Sequence, residues 1–204
     1  MSSPSIRAAG DHDSGQFNDG KKLDRASAFV PHLTEVLARV SAAGEAPTIV
    51  IDGPSGAGKS TVADYLARHI KHVQLLRLDD VYPGWNGLEA AAMVAEHILA
   101  ERHLGRAASW QRYDWGRGER TTWHEVSPHQ PLIIEGCGSL SQAAQDTAEI
   151  RVWVSVAEEI RKDRALSRGG EDFESHWDEW DQQFELRMRH ENPARFANII
   201  LAAN

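Results

Sequence analysis

Cysteine is nearly absent: Cys137 is the single one in 204 residues. That excludes an internal disulfide framework and fits a reducing compartment. Long apolar runs are missing too. None approaches the ~20 residues that a membrane helix needs, and the N-terminus has no continuous apolar core of signal-peptide type. Positive charge is in deficit, since 22 Lys and Arg against 30 Asp and Glu leave a formal charge of −8. Such a balance argues against a surface built to coat a nucleic acid polymer, although a local basic patch stays compatible with it. These absences give the expectation of a cytoplasmic chain with no membrane or nucleic acid partner, and nothing indicates a homo-oligomer. What remains is the composition of an ordinary globular domain, 41% hydrophobic and 25% charged, at a length that suits one domain with a sizeable core.

Residues 1–22 are rich in Ser, Gly and Asp without apolar periodicity and read as a flexible tail ahead of a domain over 23–204. Phe29, Leu33, Val36, Leu37 and Val40 follow helical spacing up to Gly44. Short apolar runs of buried-strand type recur at 48–51, 73–78, 131–136, 150–156 and 198–201. Helical patterns at 59–70, 87–103, 157–167 and 173–190 alternate with them. This predicts crossover units, hence an α/β fold with a mostly parallel sheet of five strands and helices on both faces. The interval 105–130 breaks the rhythm. It is polar, holds Trp110, Trp115 and Trp123, and reads as short strands or a hairpin inserted between units.

The first strand runs into "DGPSGAGKS", in which Gly53, Gly58, Lys59 and Ser60 satisfy G-x-x-x-x-G-K-[ST]. Glycines let successive backbone N–H groups turn inward on phosphate oxygens. A helix opening at Lys59 adds its unpaired amides and positive dipole end. The Lys59 ammonium reaches β- and γ-phosphates, and the Ser60 hydroxyl suits Mg²⁺. Gly53, Pro54, Ser55, Gly56, Ala57, Gly58, Lys59, Ser60 and Thr61 are therefore candidate nucleoside triphosphate contacts. The flanking strand and helix are the context the motif requires. An N/T-K-x-D stretch of guanine-specific switch proteins is missing.

Asp79 and Asp80 follow the second strand, at the sheet edge where α/β folds place ligands. A carboxylate there can take the proton of an attacking hydroxyl, or simply cap the turn before Pro83-Gly84. Glu135 closes the third core strand, as a metal-linked acid or as a solvated strand end. Arg161, Arg164 and Arg168 share one helical face ahead of Gly169-Gly170. That pattern fits a lid closing over a triphosphate, or an exposed face paired with Glu158 and Glu159.

"GPSGAGKS", "DDVY" (79–82), "RYDW" (112–115), "LIIEG" (132–136), the arginine-bearing helix 158–168 and "RFANIIL" (195–201) occur in the order of the P-loop small-molecule kinases. Most closely the chain resembles the uridine kinase-like group, with pantothenate kinase and phosphoribulokinase. The resemblance spans 48–201. It implies a P-loop NTPase fold with an Arg-bearing lid, ATP and Mg²⁺ as cofactors, and transfer of the γ-phosphoryl group to a hydroxyl, or else a phosphate, of a small metabolite such as a nucleoside or nucleotide. It implies Asp79 as general base, with Tyr82 kept from the D-x-[FY]-[FYL] setting. Lys59, Arg164 and Arg168 would be catalytic, Arg161 a nucleotide contact, and Ser60, Asp79 and Glu135 the metal set. Tyr82, Arg112, Tyr113 and Trp115 would join Asp79 on the acceptor side. The match departs where uridine kinases follow "YDF" with a histidine, because Arg117 and Gly118 stand there. Uridine itself is therefore not implied. Tyr113 and Trp115 suit stacking on a planar acceptor or packing in the core, and Arg112, Arg117 and Arg120 suit an acidic one. The alternative class is a nucleotide-dependent regulatory ATPase without a small-molecule acceptor. His69 and His72 lack further ligands for zinc, and Cys137 reads as a packed thiol.

Overall fold

The five apolar runs pair into one parallel sheet. In the computed structural model, residues 29–203 are described, except for the side chains of 30, 31 and 168–172. The proposed tail over 1–22 lies outside the described residues. The elements are α1 (Val30–Ala42), β1 (Thr48–Asp52), α2 (Lys59–His69), β2 (Gln74–Arg77), a 3₁₀ turn (Leu78–Asp80) and α3 (Leu88–His103). There follow β3 (Ala108–Asp114), β4 (Glu119–Val126), β5 (Leu132–Glu135), α4 (Gln142–Thr147), β6 (Ile150–Val156), α5 (Glu158–Glu191), a second 3₁₀ turn (Pro193–Phe196) and β7 (Ile199–Ala203).

Strand order is β2-β5-β1-β6-β7, every pair parallel. β1 is central and buried along its whole length, so its run of apolar residues needs no polar face. One side of the sheet, with Val50, Leu76 and Ile134, packs on α3, α4 and α5. The other, with Ile49, Ile51 and Ile133, packs on α1 and α2. The chain leaves β1 for the β2 side and returns to place β5 and β6 on either flank of β1. The C-terminal ends of β1, β2 and β5 therefore open onto one crevice.

The interval 105–130 folds as the antiparallel β3-β4 hairpin, with a register shift between Gln111 and Tyr113. Trp115 Nε1 donates to the Asp79 carbonyl at 2.8 Å, and Arg112 pairs with Asp80 at 3.0 Å. Both bonds fix the hairpin to the segment after β2.

Arg102, buried in the last turn of α3, donates to Thr48 Oγ1 (2.8 Å) and to the carbonyls of Ser127, Ala46 and Gln130 (2.6 Å each). It ties α3 to the entry of β1 and to the link before β5. Each buried acceptor left dry costs about 1–3 kcal/mol. Arg102→Met is thus expected to lower the urea midpoint at unchanged slope; a midpoint equal to wild type would show that water replaces the guanidinium.

The sequence pattern predicts two helices broken at Gly169-Gly170, but α5 is helical from Glu158 to Glu191. It is not straight. Twenty residues of straight helix span ~30 Å, whereas Arg161 Nη1 and Asp181 Oδ1 are 3.0 Å apart, and Arg161 and Lys162 lie over the Trp177 ring. The chain reverses between Lys162 and Trp177, an interval that includes the two glycines, and its arms pack on each other.

Candidate nucleotide site

The backbone of the loop between β1 and α2 requires glycine. Gly56 has φ +80°, and a Cβ there would stand 1.9 Å from the Arg161 carbonyl oxygen. The loop and the first arm of α5 meet backbone to backbone at that point. The second arm reaches the same loop, where Trp180 Nε1 donates to Ser55 Oγ at 2.9 Å. Asp52, fully buried, accepts from the amides of Gly53 (2.6 Å), Leu140 (2.9 Å) and Gly138 (3.1 Å). This locks the loop to the turn after β5. Burial pushes the Asp52 carboxyl up, against the three amides and Lys59.

A cavity of about 460 Å³ lies over the loop. Ser55, Gly56, Gly58, Lys59, Ser60 and Thr61 line it, together with Asp79, Glu135 and Arg164. Lys59 Nζ donates to the carbonyls of Gly53 (2.9 Å) and Pro54 (3.1 Å) and to Cys137 Sγ (3.2 Å). Burial alone would lower its pKa, but Cys137, Glu135, Asp52 and Asp79 around it hold it above the ordinary lysine value. Glu135 is buried, and that burial, with Asp79 nearby, raises its pKa. Lys59, Arg77 and a hydrogen bond with Ser60 act against the rise. Asp79 is exposed at the cavity wall.

Other expected contacts sit elsewhere. Ala57 is buried, with its amide on the Pro54 carbonyl (3.2 Å), and Gly53 and Pro54 do not line the cavity, their carbonyls accepting from Lys59. Tyr82 is not on an acceptor surface: it is 2% exposed, its hydroxyl donates to the Cys137 carbonyl (2.9 Å), and its ring stands edge-on to Trp180. Arg161 is not a cavity residue either. Its guanidinium is buried on Asp181 and Trp177, and its backbone meets the loop at Gly56. The Arg168 side chain lies outside the described residues. Tyr113 and Trp115 pack edge to face with each other, and Trp115 also packs on Trp85. One face of Trp85 is covered by His176. Arg112 is turned to Asp80.

Four cavity residues escape the sequence pattern: Phe29, Asp64, Arg77 and Cys137. Arg77 is visible there as the one charged residue of the strand run 73–78. Its partners, 13 and 58 positions away, are not.

Residues 49–185 match the family model described as an AAA domain. No curated protein matches the chain. Among solved structures, a possible uridine kinase from Bacillus stearothermophilus superposes with a TM-score of 0.52 at 17% identity, over 84% of this chain and 98% of that one. A proposed fructose transport system kinase from Silicibacter sp. TM1040 gives 0.51 at 16% identity, over 83% and 97%. Likeness at such identities is likeness of fold, and the fold is that of a P-loop NTPase with its loop between the central strand and the helix that follows.

Proposed function

Because the chain belongs to the AAA domain family, we propose that its cavity binds ATP with Mg²⁺ and that the protein is a small-molecule kinase of uridine kinase-like type. One observation carries this reading. Lys59, Ser60, Asp79, Glu135 and Arg164 line a single cavity at the C-terminal ends of β1, β2 and β5, and Asp79 is the exposed acid among them.

The loop amides and the N-terminus of α2 hold the β- and γ-phosphates. Lys59 leaves the Gly53 and Pro54 carbonyls for the phosphate oxygens, and Arg164 meets the charge of the transferring group from the α5 side. Ser60 and Glu135 offer the hard oxygen donors that suit Mg²⁺, with Asp79 nearby. Among the described residues no three His, Cys, Asp or Glu side chains converge as a metal cage, so triphosphate oxygens and water would complete its shell. Held there, the ion would supply positive charge to offset that of the transferring phosphoryl group. Asp79 accepts the proton of the acceptor hydroxyl as its oxygen bonds to the γ-phosphorus. The bond from that phosphorus to the β,γ-bridging oxygen breaks, and ADP leaves with the electron pair. The β3-β4 hairpin, anchored on Asp79 and Asp80, bounds the acceptor side.

A panel of nucleosides, nucleotides, sugars and vitamin-like alcohols, scored for acceptor-stimulated ADP release, tests the reading. One acceptor is expected to raise ADP release well above hydrolysis. Silence across the panel, with ATP still raising thermal stability, would point to a nucleotide-switched binding protein instead. Once the acceptor is known, Arg164→Ala is expected to lower kcat on the order of 10²-fold. An unchanged kcat would move Arg164 out of the machinery.

A further inference from the structure

The cavity carries a cation that the phosphoryl-transfer reading does not use. Arg77 is the last residue of β2 and the register neighbour of Glu135 on β5. Its guanidinium forks between Asp64 of α2, at 2.5 Å from Nη2, and Glu135, at 3.2 Å from Nη1. The Glu135 side chain is 3% exposed, so its charge is tolerated only with a partner in place. In this structure Arg77 pairs with it directly, and the Lys59 ammonium acts on it from within the same cavity.

Three acids (Asp64, Asp79, Glu135) and three cations (Lys59, Arg77, Arg164) thus line the same cavity. The acid best enclosed for a metal is already neutralised, and Lys59 is held by loop carbonyls. A divalent ion arriving alone would have to take Glu135 from a guanidinium, with little net charge to attract it. A triphosphate brings several negative charges at once. It draws the three cations toward itself and loosens the hold of Arg77 on Glu135.

We propose that Arg77 is a built-in stand-in for the metal: it occupies Glu135 in the nucleotide-free protein, keeps divalent ions from binding alone, and releases Glu135 when the ion arrives with the triphosphate. The proposal rests on the reading of this cavity as a triphosphate site. It makes Arg77 a positioning residue that sets the order of binding, and the metal and nucleotide enter together.

The test reads Mn²⁺ binding to the nucleotide-free protein from the electron paramagnetic resonance signal of the free ion. Wild type is expected to bind Mn²⁺ in the millimolar range or weaker. Arg77→Gln, which uncovers Glu135 and Asp64, is expected to bind at least tenfold tighter, and the added change Glu135→Gln to return binding to the wild-type value. With a non-hydrolysable ATP analogue present, wild type and Arg77→Gln should agree within about twofold. Equal Mn²⁺ binding by folded Arg77→Gln and wild type overturns the proposal, as does tight binding that survives Glu135→Gln. A tenfold gap that persists with the analogue overturns it too. Arg77→Lys keeps the charge but cannot fork to both acids, and it covers the case in which Arg77→Gln does not fold. It should tighten Mn²⁺ about threefold, and no tightening is a refutation. Nucleotide binding by wild type, followed separately by calorimetry, fails only if the triphosphate reading itself fails.

Discussion

Asp79→Asn is expected to lower kcat by about 10²–10⁴-fold, the usual contribution of a positioned general base, with ATP affinity within about twofold of wild type. The substitution keeps the shape and one oxygen but removes the capacity to take a proton. The backbone has little reason to shift. Trp115 Nε1 holds the Asp79 carbonyl, Arg112 holds the neighbouring Asp80, and the Val81 and Tyr82 amides bond to the Leu78 carbonyl at 2.8 and 2.9 Å. The side chain itself is exposed at the cavity wall, so no buried partner is orphaned. Steady-state ADP release with the identified acceptor, beside calorimetry with a non-hydrolysable analogue, separates the two quantities. A variant with full turnover removes Asp79 from the proton transfer. Lost turnover together with lost nucleotide affinity assigns it to holding the metal instead.

The parts of this site legible in the sequence are those whose chemistry is local. The phosphate loop is one, because its backbone course demands glycine at fixed spacing. Asp79 and Glu135 are others, since an acid just past an apolar run marks a strand end. What escapes depends on partners far away in the chain. Tyr82 follows the pattern of an acceptor-facing aromatic, yet the carbonyl of Cys137, 55 positions on, takes its hydroxyl. The glycine pair at 169–170 reads as a helix break. That pair lies within the interval where α5 reverses, but the contacts that hold its arms together, Arg161 with Asp181 and Trp177, are not revealed by local propensity. The aromatic residues of "RYDW" suggest a stacking platform. Their mutual packing, with His176 laid flat at 4.7 Å on Trp85, joins the hairpin to α5. The short α4 has no sequence signature because six residues carry too little periodicity to register, although Ser141 caps it by accepting from the Ala144 amide.

Gly53→Ala is expected to damage the fold severely. At φ +143° an L-residue is strained, at a cost of about 1–3 kcal/mol. The new Cβ would also stand 2.0 Å from the Val154 carbonyl oxygen and 3.0 Å from its carbon. Neither partner can retreat. Val154 lies in β6, between β1 and β7, paired with Leu201. Asp52, the residue before Gly53, is fully buried and bonded to three amides. Overpacking of this kind adds about 1–3 kcal/mol, so the sum is on the order of 2–6 kcal/mol, a large share of the 5–15 kcal/mol typical of a domain. Gly105 is the matched control. Its φ is +71°, and a Cβ added there would meet nothing within 4 Å, so Gly105→Ala carries conformational strain alone. Urea unfolding of both variants should therefore place Gly53→Ala well below Gly105→Ala. If the two unfold at the same midpoint, the close approach of β6 is not what reserves position 53 for glycine, and the rigidity assigned to the β1 end of the phosphate loop would have to come from the Asp52 carboxylate alone.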